Sequence, residues 1–186
     1  MDTRTLVRIA LVAALIGALG FVPPLYMPLA AGVPITAQSL GVMLAGLLLG
    51  ARAGAAATAL FAFVVLLGAP LLSGGRGGLG ILAGPSAGFF IGYIAGAFAV
   101  GFLAERLAPR LPAVAAAFVA AVVGGIGVVY LFGIPVLAVV AGIGLPKALI
   151  GSAVFLPGDL LKAVGATVLA TTVLRGWSIT GEHQRP

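Results

Sequence analysis

The sequence predicts an all-α membrane protein: one bundle of six transmembrane helices with both termini cytoplasmic. Three observations predict it. Hydrophobic residues fill 62% of the 186 positions and charged residues only 8%, with a mean hydropathy of +1.27, where a soluble domain carries roughly a quarter charged residues. The apolar residues gather into six stretches separated by glycine, proline or charge. The basic residues also sort by side as six crossings require. Arg4, Arg8, Arg52, Arg106, Arg110, Arg175 and Arg185 fall on the side of the termini, and Arg76 and Lys147 on the other, with Lys162 near them inside a helix.

The first stretch, 5–22, starts beside Arg4 and Arg8. It is too long for a signal peptide, has no clear small-residue cleavage site, and reads as a retained helix. Ala10, Ala14 and Ala18 recur on it every four residues, with Ala13 and Gly17 alongside. Such a stripe lets helices approach closely, within the bundle or against another membrane protein. The loop 22–37 is rich in proline and carries Tyr26, readable as a lid or as an interfacial anchor. Stretches 38–49 and 53–68 are short for full crossings, so tilting, kinking or extension into loops is expected of them. Thr36 is placed to cap the second helix, and Gln38 and Ser39 are polar residues at an apolar helix start that can face a pocket. Stretches 86–104 and 113–132 are ordinary spans. Residues 134–155 are apolar but interrupted by Pro135, Gly142, Gly144 and Pro146. They read as a re-entrant or interfacial connection; a seventh span is the alternative, and it would break the charge sorting. The stretch 157–174 closes the bundle. The 29 glycines and 12 prolines suit membrane helices, and residues 1–186 read as a single transmembrane domain.

Composition removes several function classes. Without cysteine the chain has no disulfide, thiolate metal site or cysteine nucleophile. Its one histidine is His183, in the polar tail, so no intramembrane constellation for serine or metal hydrolysis exists. There is no Walker motif, and the net charge of +6 follows from membrane topology and not from nucleic-acid binding. No enzyme, metal or cofactor is expected.

Two polar islands remain. In Phe155-Leu156-Pro157-Gly158-Asp159-Leu160-Leu161-Lys162, the Pro-Gly pair turns the chain into a helix on which Asp159 and Lys162 are neighbours at i and i+3. The pair reads either as a structural ion pair and cap, or as one that also contacts a ligand, since ionisable groups at membrane depth usually face a cavity. Gly74-Gly75-Arg76-Gly77-Gly78-Leu79-Gly80 lacks the Gly-Lys-Ser/Thr ending of a nucleotide loop. It is either a flexible outer loop or a glycine-permitted close approach to a ligand, with Arg76 a carboxylate partner.

These islands, with Val33-Pro34-Ile35-Thr36-Ala37-Gln38-Ser39-Leu40-Gly41-Val42 and Gly84-Pro85-Ser86-Ala87-Gly88-Phe89, resemble in order and spacing the BioY family, over nearly the whole chain. Its members are the biotin-specific substrate-binding (S) components of energy-coupling factor (ECF) transporters. The resemblance implies a six-helix S-component fold that takes biotin from outside a prokaryotic plasma membrane. It also implies a transmembrane coupling protein and two cytoplasmic ATPases as partners, although some family members occur without dedicated ones. The stripe Ala10, Ala14, Ala18 is similar to the motif through which S components meet the coupling protein. The ligand set expected is Asp159, Lys162, Arg76, Gln38, Thr36, Gly75, Gly77, Ser86 and Tyr93. Asp159 would accept from a ureido N–H and Lys162 donate to the ureido carbonyl, with Arg76, Gln38, Ser86 or backbone N–H groups left for the carboxylate; the inverted placement stays open. The sequence departs from the usual Thr-Gly-Gly-Tyr after Gly84-Pro85: Ser86 keeps the hydroxyl, Phe89 loses the phenol, and Tyr93 lies one turn on. The alternatives are an S component for another vitamin, or a non-catalytic membrane bundle. One Trp and three Tyr leave little to stack a flavin.

Overall fold

The computed structural model describes residues 2–26 and 31–182. His183 and Arg185, noted above, lie outside them. Helix α1 runs Thr3–Ala18, its first turn capped by the Asp2 carboxylate accepting from the Thr5 amide at 3.2 Å, and a 3-10 turn carries it to Phe21. Helix α2 spans Gln38–Leu66, α3 Ala87–Leu107, α4 Ala113–Ala120 and α5 Val129–Val140, with the π-helical stretch Ala121–Val128 joining the last two into one span. Helices α6, Gly144–Ala153, and α7, Leu156–Glu182, complete the chain.

Helix α2 is two spans. Gly50 has φ 80° and ψ −178°, a conformation that glycine adopts without strain and a Cβ resists. A Cβ added at Gly54 would stand 2.7 Å from the Ala45 carbonyl, yet residues nine apart in a straight helix are separated by about 13 Å. The chain therefore doubles back at Gly50 into arms 38–49 and 51–66. The reversal leaves the first amides of the second arm without partners, and the Glu105 carboxylate, from the end of α3, accepts from the Ala51 N–H at 2.9 Å. With both arms counted, six helical spans lie among the described residues: Thr3–Phe21, the two arms of α2, α3, the α4–α5 span and α7.

Two boundaries differ from the sequence reading. The fifth span continues through Pro135 to Val140; in a membrane bundle neighbouring groups satisfy what a proline leaves unpaired. The connection is thereby reduced to the short helix α6, which meets α7 at a 51° bend. Thr36 is not the cap expected of it: the N-cap of α2 is Ala37, with no side-chain hydrogen bond.

The two ends of the bundle differ. One holds Arg4 and Arg8 at the start of α1, Arg52 beside the Gly50 turn, Arg106 and Arg110 at the end of α3, and Arg175 on α7. The other gathers residues 22–26 and 31–37, the loop 67–86 and the α6–α7 bend. Large side chains face outward between them, among them Leu11, Phe63, Leu131 and Val139, all more than half exposed, which suits hydrocarbon and not water. Inside, small residues set the spacing: a Cβ on Gly46 would stand 2.6 Å from the Ala97 carbonyl. This is the close backbone approach through which helices associate where the solvent is itself apolar. The chain is a multi-pass membrane protein.

Candidate functional site

The short arms of α2 decide where the site forms. Twelve residues of helix reach only about 18 Å of the ~30 Å hydrocarbon core, so loop backbone must enter from the loop end. Irregular backbone at that depth has to be covered by protein or line a cavity. Here it lines a recess floored and walled by Val33, Ile35, Thr36 and Ser39 before and on α2, Leu72 and Arg76 of the glycine loop, Ser86, Phe89 and Tyr93 at α3, Val129 and Tyr130 on α5, and Phe155, Asp159 and Lys162 at α7.

Its buried carboxylate is Asp159, 8% exposed. Pro157 and Gly158 occupy the first turn of α7, where a missing N–H costs nothing, and bring Asp159 to the recess. Lys162 Nζ lies 2.8 Å from Asp159 Oδ1 and donates to Ser39 Oγ at 3.1 Å. Ser39 Oγ in turn donates to Asp159 Oδ1 at 3.2 Å, and the Tyr130 hydroxyl to Oδ2 at 2.8 Å. A buried ion pair persists only with such additional hydrogen bonds. The ammonium has three donors and two protein partners, and Oδ2 has one partner for two lone pairs. One ammonium hydrogen and one Oδ2 lone pair are thus left without a protein partner among the described residues, on two side chains that both line the recess.

The wall beside this pair is aromatic. Phe89, Tyr130 and Phe155 contact one another edge to face, with centroids 5.9, 6.0 and 6.5 Å apart, an arrangement that favours rigid rings. Phe89, where the family pattern has tyrosine, is 8% exposed and forms part of this wall.

Across the recess stands Arg76. Its Nε donates to the Ser73 carbonyl at 3.2 Å and its Nη1 to Ser86 Oγ at 3.2 Å, which leaves most of a five-donor fork unused. No carboxylate pairs with it among the described residues. The glycines around it serve the backbone: Gly74, Gly75 and Gly78 have φ of 81°, 70° and 85°, left-handed values that carry the turn. Gly75 and Gly77 do not line the recess.

The structure thus brings Asp159, Lys162, Arg76, Ser86, Tyr93, Thr36 and Gln38 to one recess. Thr36 neighbours the Tyr93 phenol. Gln38, 1% exposed, has its amide engaged by protein: Nε2 donates to the Ile16 and Leu71 carbonyls at 3.2 and 3.0 Å, and Oε1 accepts from the Ser73 N–H at 3.2 Å. Tyr130, Phe155 and Val129 were not singled out by the sequence reading. No cluster of three metal-ligating side chains occurs among the described residues. On α1, Ala13 and Gly17 are buried in the bundle, and Ala10, Ala14 and Ala18 are exposed on the outer face.

Residues 1–178 match the BioY family. The Rhizobium etli protein named biotin transporter BioY is 52% identical over 186 residues, covering 96% of this chain and 97% of that one. A Rhodobacter capsulatus protein of the same name is 48% identical over 179 residues, covering 91% and 93%. The Bacillus subtilis probable biotin transporter BioY is 42% identical over 175 residues, covering 94% and 92%. The crystal structure of the S-component for biotin from an ECF-type ABC transporter superposes with a TM-score of 0.85 at 31% identity, over 94% of this chain and 95% of that one.

Proposed function

The chain belongs to the BioY family, and we propose that it is the biotin-capturing subunit of a vitamin uptake transporter, in which the recess is the biotin site. It is a transporter component and not an enzyme. The observation that carries the site assignment is the spare donor and acceptor at Lys162 and Asp159 beside an aromatic wall, in a recess also lined by an arginine that no carboxylate pairs with among the described residues.

Biotin fits that arrangement part by part. A ureido N–H donates to Asp159 Oδ2 while the ureido carbonyl accepts from Lys162, both charge-assisted bonds strengthened by exclusion of water. The bicyclic body lies against Phe89, Tyr130 and Phe155. The valerate carboxylate reaches Arg76, whose fork suits a carboxylate, with Ser86 holding the guanidinium. Thr36 and Tyr93 complete the wall between these ends. A site built on hydrogen bonds rejects ligands that leave its buried polar groups unpaired.

Capture occurs from outside in this reading. The arginines at the end opposite the recess put that end and both termini in the cytoplasm by the positive-inside rule, so the recess opens away from it, in the plasma membrane of a prokaryote. The exposed stripe Ala10, Ala14, Ala18 is the face offered to a transmembrane coupling protein, itself bound to two cytoplasmic ATPases. Calorimetric titration of the detergent-purified chain with biotin, riboflavin and thiamine tests the reading. Saturable binding of biotin alone, near one per chain, is expected. Saturation by another vitamin would overturn it.

A further inference from the structure

The amide of Gln38 occupies the junction of three segments. It donates to the Ile16 carbonyl at the end of α1 and to the Leu71 carbonyl after the second arm of α2, and it accepts from the Ser73 N–H, with the Ser73 hydroxyl at 3.5 Å. Both amide hydrogens and the carbonyl oxygen are therefore held by protein, in a side chain 1% exposed. The chain of contacts then continues in one direction: Ser73, whose N–H Gln38 holds, offers its carbonyl to Arg76 Nε at 3.2 Å, and Arg76 reaches Ser86 at 3.2 Å. The intervening backbone, with Gly74 and Gly75 both at positive φ, is closed on itself by the Gly75 and Arg76 amides donating to the Leu72 carbonyl and the Leu72 amide to the Arg76 carbonyl. Gly78 ties its far side to Val65, and Gln38 ties its near side, on both flanks of Leu72, to α1 and the start of α2. A guanidinium on a glycine-flanked loop aims at one point only if that loop is tied down.

We infer that Gln38 is a positioning residue for carboxylate selectivity: it does not contact biotin, and through Ser73 it fixes the Arg76 guanidinium where the ligand's carboxylate arrives. The inference rests on the proposed placement of that carboxylate at Arg76. It distinguishes Gln38 from Asp159 and Lys162, whose loss weakens every ligand carrying the ureido ring.

The test compares biotin with biotin methyl ester, which keeps the bicycle and loses the charge. Both are titrated into the detergent-purified full chain, into Arg76→Gln and into Gln38→Met, a variant close to Gln38 in length that has no amide. Gln38→Asn, one methylene shorter and unable to span all three partners, is the substitute if Gln38→Met does not yield folded protein. Expected for both Arg76→Gln and the Gln38 variant is a fall of about tenfold or more in biotin affinity, near 1.4 kcal/mol, with ester affinity within about twofold of the parent. Equal losses for the two ligands in the Gln38 variant, or no loss for either, would overturn the inference while leaving the carboxylate site intact. Undiminished preference for biotin over its ester in Arg76→Gln would instead overturn the placement of the carboxylate on which it rests.

Discussion

At the scale of single residues, the site is governed by what a buried carboxylate requires. Asp159 tolerates its position because Lys162, Ser39 and Tyr130 all serve it. Removing a partner therefore does two things, loosening the proposed ligand contacts and leaving a charge less compensated. Tyr130→Phe deletes one hydrogen bond to Oδ2 and is expected to lower unfolding stability by about 1.5 kcal/mol, read by thermal unfolding in detergent. Lys162→Ala removes the counter-charge itself. It is expected to lower unfolding stability by about 3–5 kcal/mol, and to abolish the rise in melting temperature that a saturating ligand gives. A Lys162→Ala protein with the parent's stability and the parent's biotin-induced shift would contradict this account. Asp159 and Lys162 were legible in the sequence because they are scarce charges three apart on one helix. Ser39 was legible only as a polar residue at a helix start. Tyr130 was not: its partner lies 29 positions away, and an aromatic in an apolar stretch carries no mark of the hydroxyl's destination. Gln38 was legible as a polar residue that can face a pocket, but its three backbone partners come from segments 22 to 35 residues distant, beyond the reach of any local pattern.

At the scale of elements, the reversal at Gly50 shapes the recess by keeping both arms of α2 short. A Cβ at Gly50 would sit 2.5 Å from Glu105 Oε1, the atom that caps the second arm through Ala51. Gly50→Ala thus meets backbone strain and a displaced cap together and should lower stability by about 1–3 kcal/mol. Glu105→Ala alone should cost about 1 kcal/mol, as a lost cap does. The two effects should be less than additive in the double variant, since removing the carboxylate relieves the overlap. Thermal unfolding in detergent measures all three, and strict additivity would count against the contact. The sequence showed two short stretches with Gly50 between them and read them as separate spans, which they are. It placed the end of the fifth span eight residues early because proline usually marks a helix boundary, whereas in this bundle the helix passes through Pro135. The cap assigned to Thr36 failed for a similar reason: a hydroxyl near a helix start has more than one place to go.

At the scale of the whole molecule, the bundle has a basic end and a recessed end, which the proposed orientation puts on opposite sides of the membrane. The chain has no cysteine, so single cysteines report their side without interference. Gly80, where a Cβ meets nothing within 4 Å, lies by the recess, and Leu111, 38% exposed, lies in the turn after α3. In intact cells a membrane-impermeant maleimide should label Gly80→Cys and spare Leu111→Cys until the membrane is opened; the reverse pattern would invert the topology. The charge sorting that predicts this orientation was readable from the sequence alone. The same sorting put the loop 22–37, the glycine loop around Arg76 and the approach to Asp159 on one face; what it did not show is the recess they line with the α7 ion pair, because that depends on how deep the short arms let those segments descend. In the proposed function, this recess, with Asp159 within it, is where biotin is held. The measurement that tests it most directly is calorimetric titration of biotin into the parent and into folded Asp159→Asn side by side. The account predicts saturable binding near one per chain in the parent and at least about a hundredfold weaker binding in the variant, as follows when a buried charged partner is lost. Asp159→Asn protein that folds and binds biotin as tightly as the parent would contradict it.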